Sequence, residues 1–358
     1  GVTGPVEVRV PEPAGETYAA GVIALTDAAF ELSGLRAGTK GAELAGRLSL
    51  PTAGGPLAAD LDLTATDLGP LFRQAGVGVA GHAEGRLRLF PAAGGQGGDL
   101  ELDAGSLRWQ AGTARPLAAR SVAVSGRLAG GTNDGQLSLR AEALGMRGPS
   151  SDLDEVRLFL DGPPSALAVR LEANGRVLGA PGALAARLTV TQAAAGPEVT
   201  LQSLDGSLAG HPLVSRTPAT LTFPDRGVVL EGLALEVGGG ELAGNARLGV
   251  PSPRVELVAR EFPLALASLV DPRIDLVGRM EAELEVSGDA PAAQGRFELA
   301  LDPISFAARR RNVPVRIGAA GTLRSGRLSF TVEGVGPNAQ PVTISGEMPL
   351  RVDLGALA

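Results

Sequence analysis

The sequence predicts an all-β chain, and three observations predict it. Apolar and polar residues alternate with period two over many short stretches. Clusters of Gly, Pro, Asn and Asp separate these stretches. The pattern recurs every 10 to 15 residues or so along the whole chain. Strict alternation describes a strand with one apolar and one polar face. It argues against a parallel sheet covered by helices, whose strands read as continuous apolar runs.

The strands can be justified in chain order. "GDLELDAG" (98–105), "GQLSLRAEA" (135–143) and "ALAVRLEANG" (166–175) each place Leu, Val or Ala on one side and charged or small polar residues on the other. "RMEAELEVSG" (279–288) sets Met280, Ala282, Leu284 and Val286 against Glu281, Glu283 and Glu285. "GRLSFTVEG" (326–334) does the same with Leu328, Phe330 and Val332. The connections "PTAGGP", "PAAGGQGG", "GGTNDG", "DGPP" and "GVGPNAQP" are turn chemistry: glycine supplies positive φ, and proline cannot join a ladder. Two segments depart from period two. "DLGPLFRQAG" offers Asp67 as an N-cap and spaces Leu68, Leu71, Phe72 and Ala75 at helical intervals. "FPLALASLVD" places Leu266, Leu269 and Val270 likewise. Each predicts a short amphipathic helix of about two turns.

A shift of 198 positions lays Leu32, Gly34, Leu35, Gly41, Glu43, Leu44, Ala45 and Gly46 on identical residues between Leu230 and Gly244. It lays Leu68 and Leu71 on Leu266 and Leu269. With one residue dropped, Gly81, Glu84, Leu87, Gly98, Glu101 and Leu102 fall on Gly278, Glu281, Leu284, Gly295, Glu298 and Leu299. This co-linear order marks an internal repeat. We expect two β-repeat halves, 1–200 and 201–358, of one continuous elongated β structure.

Composition narrows the function. The 358 residues carry a net charge of −7 and no cysteine. The one lysine is Lys40, and the arginines are scattered, whereas nucleic acid wants a basic stripe. Disulfides and thiolate metal sites are excluded. Hydrophobic residues make up 44 % but aromatics only 3 %, and the mean hydropathy is +0.16. The longest apolar stretches fall short of the roughly 20 residues that cross a bilayer as a helix. Residue 1 is Gly and the last residues stop in mid-pattern, so the chain reads as a piece of something longer.

The candidates for chemistry are few. His82 and His211 have no G-x-S-x-G elbow to serve and read as ordinary solvent-facing side chains. "GVGVAG" (76–81) fits a dinucleotide pattern but opens a strand instead of a helix, and reads as a loop. "DLD" (60–62) and "DLDE" (152–155) lack calcium-loop spacing and read as the wet face of strands. "ARRRN" (308–312) is the one dense basic run and reads as a solvated loop. No enzyme, metal site or small-molecule cofactor is expected. What remains is the apolar face. It is covered either by a second sheet or by something else, in an extended groove.

At this point the residues resemble a family. "LEGLALEVGGGELAGNARLGV" and "RVELVAREFPLALASLVDPRIDLVGRMEAELEVSGDAPAAQGRFELAL" are similar to the TamB family, the inner-membrane subunit of the translocation and assembly module, among the AsmA-like bridge proteins. The likeness is strongest over 201–349, with a weaker copy over 30–107. It implies an elongated U-shaped (taco-like) antiparallel sheet with a hydrophobic inner groove. It implies a place in the periplasm, with the full-length protein anchored in the inner membrane. The implied partners are phospholipid, an Omp85-type outer-membrane barrel (TamA) and outer-membrane protein clients. The implied task is passage of phospholipid between membranes, or help in outer-membrane protein assembly.

On that reading the alternating strands supply the lining. The candidate lipid-binding residues are Leu87, Leu89, Leu100, Leu102, Leu137, Leu139, Val169, Leu171, Leu233, Leu235, Val237, Met280, Leu284, Val286, Phe297, Leu299, Leu328, Phe330 and Val332. Two alternatives stand beside it. One is a chaperone-like scaffold that takes a client strand by β-augmentation at a sheet edge. The other is a structural β-solenoid or adhesin stalk with a closed core.

Overall fold

The structure is a computed structural model. It describes residues 1–12, 15–73, 78–93, 95–110, 116–130, 135–193, 196–224, 227–269, 276–289, 292–306, 315–336, 340–352 and 354. The chain is all-β and antiparallel, as the alternation predicts. It divides into two units, Gly1–Val177 and Leu178–Ala358.

The first unit is a meander of eleven strands: β1 (Val2–Glu12), β2 (Gly15–Leu25), β3 (Ala29–Thr39), β4 (Ala42–Pro51), β5 (Ala58–Ala65), β6 (Gly78–Ala92), β7 (Gly95–Gln110), β8 (Leu117–Ala129), β9 (Gln136–Arg147), β10 (Ser151–Gly162) and β11 (Ala166–Val177). Each strand pairs antiparallel with the next. The second unit holds β12 (Ala180–Ala193), β13 (Gly196–Leu208), β14 (His211–Ser215), β15 (Ala219–Thr222), β16 (Val228–Val237), β17 (Gly240–Leu248), β18 (Arg254–Pro263), β19 (Leu276–Ser287), β20 (Gln294–Phe306), β21 (Val315–Arg324), β22 (Arg327–Val335) and β23 (Val342–Pro349). Here β14 and β15 act as one broken strand, for both pair with β13 on one side and β16 on the other. The expected division at residue 200 falls inside β13.

The repeat seen in the sequence returns as geometry. β3 carries one extra residue against β4 between Leu32 and Leu35, and β16 carries one against β17 between Leu230 and Leu233. Gly34 and Gly232 occupy these bulges at φ +59° and +73°. A second pair of bulges lies at Gly81 and Gly278, where β7 and β20 each gain a residue on their partner. A bulge bends a strand and re-aims the residues beyond it. Both halves therefore turn at corresponding points.

The two predicted helices do not form as amphipathic helices of two turns. The first is a five-residue turn, α1 (Gly69–Arg73), and the second a six-residue 3-10 segment, Leu264–Leu269. So few residues cannot repay helix nucleation on their own. Asp67 does cap the first, its Oδ1 accepting the Gly69 N–H at 2.9 Å. The expected apolar stripe is broken, because Leu68 is buried at 7 % while Phe72 is exposed. Leu68 packs with Ala42, Ala65 and Ala83, edged by Val79, Leu102, Ala104 and Leu107. In the second segment Leu264 and Leu266 are buried, Leu266 at 8 %. Ala75 and Val270 lie outside the described residues.

Candidate apolar binding face

Residues directly opposite on neighbouring antiparallel strands share a face of the sheet. The register therefore places every predicted lining residue. In the first unit one row runs Leu61, Leu87, Leu100, Gly126, Leu139, Leu160, Val169 from β5 to β11. The next row on the same face runs Leu63, Gly85, Leu102, Val124, Ala141, Leu158, Leu171. A third contains Ala59, Leu89, Gly98, Leu128 and Leu137. The predicted residues from Leu87 to Leu171 thus lie on one face.

The second unit repeats the arrangement. One row runs Leu233, Gly244, Leu257, Leu284, Phe297, Gly321, Phe330, Gly346 from β16 to β23. Beside it runs Leu235, Leu242, Ala259, Ala282, Leu299, Ala319, Val332, Ile344. Val286 and Leu328 share a third row with Val255, Gly295, Leu323 and Met348. Met280 stands between Phe262 and Leu301, and Val237 between Leu213 and Gly240. The sequence reading missed Leu61, Leu63, Leu158, Leu160 and Leu257, which sit in the same rows. Their signal was present in "LDLT", "RLFL" and "VELV".

The lining is only partly buried. Of the predicted residues only Val237 is buried; Leu284 is 37 % exposed and the rest are half-buried. Among the described residues no side chain is fully buried, and alanines make up much of the buried set. A sandwich interior packed to normal density would bury its leucines completely. The face is also low. The Phe297 ring occupies the space above Gly321, and Phe330 Cζ comes within 3.0 Å of where a Cβ on Gly346 would stand. Each aromatic lies over a glycine on the next strand.

The opposite face is wet and cross-linked by charge. Arg86 Nε meets Asp62 Oδ1 at 2.6 Å, and Arg88 and Arg47 flank Asp60. The hydrogen bond that Arg86 donates to Asp62, then that carboxylate's charge, raises the pKa of Arg86. Glu285 sits between Arg254 Nη2 at 2.6 Å and Arg296 Nε at 3.1 Å. Arg140 and Arg170 flank the Phe159 ring at 5.5 and 6.0 Å. The carboxylates of "DLD" therefore do form the wet face. A depression of about 490 Å³ on this side is framed by Glu281, Glu283, Glu298, Thr331 and Glu333, and another of about 370 Å³ by Arg86, Arg88, Glu101 and Arg127. Of the predicted lining residues, Leu299 borders the first depression and Leu100 the second.

The remaining candidates fall as follows. His82 is exposed in β6. His211 is half-buried at the start of β14, its ring over Gly238. Gly78 to Gly81 of "GVGVAG" belong to β6 rather than to a loop, because the bulge at Gly81 lets pairing with β7 continue to Gly78. The basic run 308–312 lies outside the described residues. Among the described residues no group of three or more His, Asp or Glu is placed to hold a metal, and no helix is long and apolar enough to cross a membrane.

The fold and the face together define an antiparallel β-meander protein with an extended apolar surface. Comparison with protein-family models, curated proteins and solved structures gave no match.

Proposed function

We propose that this chain is a segment of a periplasmic bridge of the TamB kind, whose apolar face carries phospholipid acyl chains between the inner and outer membranes. The observation that supports this reading is the uncovered lining: apolar rows pass unbroken from strand to strand in each unit, half-buried and low. Taking an acyl chain into water costs about 0.8 kcal/mol per CH₂, so a two-chain lipid faces a barrier on the order of 20 kcal/mol. A continuous apolar track lowers that barrier without any reacting group. In this role the chain works beside an Omp85-type barrel such as TamA and supports outer-membrane protein assembly by supplying lipid.

The test is site-specific photocrosslinking in cells. A crosslinker at Leu233 or Leu284 captures phospholipid, and one at Glu283, on the opposite face of the same strand as Leu284, does not. Equal capture at Leu284 and Glu283, or none at either lining position, refutes the reading. Capture of protein alone at edge positions favours strand augmentation instead.

A further inference from the structure

The two ends of strands β6 to β11 carry different chemistry. At one end the register aligns Arg108, Ala118, Arg147, Asp152 and Arg176 in a single row across β7 to β11. Arg120 lies between the Ala118–Arg147 and Ser121–Leu144 pairs, which brings it level with Gly145. Its Nε and Nη2 are 3.3 Å from where a Cβ on Gly145 would stand, so the guanidinium lies along a strand that has no side chain there. All four arginines are exposed. Arg147 Nε meets Asp152 Oδ1 at 3.5 Å; among the described residues Arg108, Arg120 and Arg176 have no ion-pair partner. Against the four stand Asp152 and, level with Arg120, Asp154. On the other face of the same strand ends a second row runs Val79, Trp109, Leu117. Trp109 is 49 % and Leu117 37 % exposed. Trp109 stands two residues beyond Leu107, which edges the Leu68 cluster, so this row continues the apolar face to its rim. At the far end of the strands the charges near the turns are Arg127, which meets Asp99 at 3.7 Å, and Asp161.

We propose that this rim docks on the surface of an anionic phospholipid bilayer. Trp109 and Leu117 enter the interfacial layer, and the four arginines meet headgroup phosphates on the other side of the rim. Tryptophan suits that layer, because its ring is apolar and its N–H needs a wet partner. Arginine binds phosphate through a planar fork of donors, and its long stem lets the charge reach sideways to the headgroups. Charge complementarity selects the occupant. Cations unpaired within the chain, set beside an exposed aromatic row, fit an apolar interior beneath an anionic skin. Each arginine near such a surface strengthens binding about fivefold. The chain as a whole carries −7 and would be repelled. Charges more than about 10 Å away are screened at moderate salt, so the local rim decides. The inference goes beyond the lipid path and does not depend on it, for docking here requires no lipid in the lining.

Trp109 is the one tryptophan of the chain, so its fluorescence reports from this rim alone. The experiment mixes the purified chain with vesicles of phosphatidylcholine, or of equal parts phosphatidylcholine and phosphatidylglycerol. With the anionic vesicles we expect the chain to float with the lipid and the Trp109 emission to shift to the blue. Lipid brominated high on its acyl chains should quench it. Raising the salt should release the chain. Joint substitution of Arg108→Ala, Arg120→Ala and Arg176→Ala should weaken binding about a hundredfold, with an unchanged circular dichroism spectrum. Arg127→Ala, at the far end of the strands, should leave binding as it is. No binding to the anionic vesicles overturns the proposal, as does equal weakening by Arg127→Ala. Flotation without a Trp109 response places the contact elsewhere and overturns it too. So does a response equal on both kinds of vesicle, which would mark lipid taken into the apolar face. A response that polyglutamate reproduces would mark an acidic protein as the partner and overturn it as well.

Discussion

Gly321 shows how a residue without a side chain can be required in a strand. Glycine normally weakens a strand interior. Here a Cβ would collide with the Phe297 ring and stand 2.9 Å from Ser329 O. Gly334, on the next strand, has open space around its would-be Cβ and no positive φ. We therefore expect Gly321→Ala to cost about 1–3 kcal/mol through overpacking. Gly334→Ala should be neutral or stabilising by about 0.5 kcal/mol, through the entropy of the unfolded chain. Urea denaturation midpoints of the two variants check this pair. On the wet face, Glu285→Gln breaks contacts with both Arg254 and Arg296. Because those side chains are solvent-accessible, the loss should stay below about 1 kcal/mol and fade in high salt.

At the scale of elements, the first short helical segment is an anchor for the sheet. Thr66 and Asp67 donate their backbone N–H groups to Gly41 O, and Leu68 donates to Gly81 O. The segment is thus tied to the β3–β4 turn and to Gly81 of β6, opposite the β7 bulge. Leu68→Ala should cost about 2–4 kcal/mol, as a buried large-to-small change. Phe72→Ala should change stability by no more than about 0.5 kcal/mol, since its ring is exposed. The strands themselves were readable because alternation is a local property and survives in any single window. Leu284 and Phe297 could be assigned to one face before their pairing was known, since both sit on the apolar phase of their own strands. The helices were over-read because helical spacing at Leu68, Leu71 and Phe72 says nothing about how many residues follow before the chain must re-enter the sheet. The bulge positions were visible only as repeated glycines; that Gly34 and Gly232 hold positive φ depends on pairing, which no single stretch contains.

For the molecule as a whole, the question is whether the apolar face is a core or a surface. Leu284→Asp distinguishes them. On a half-exposed lining it should leave the fold intact and reduce the phospholipid that co-purifies, read by native mass spectrometry. In a closed core it would unfold the chain, because an unpaired carboxylate buried among leucines costs several kcal/mol.

The strand order within each unit has a kinetic consequence. Every strand pairs with its immediate predecessor and successor, apart from the broken β14–β15 strand, so native pairing never waits for a distant part of the chain. Low contact order of this kind favours rapid folding from any starting hairpin. A chain emerging from its N-terminus can therefore zip hairpin by hairpin in the order in which it appears. At each stage it leaves a single raw edge, which the next strand to arrive is positioned to cover.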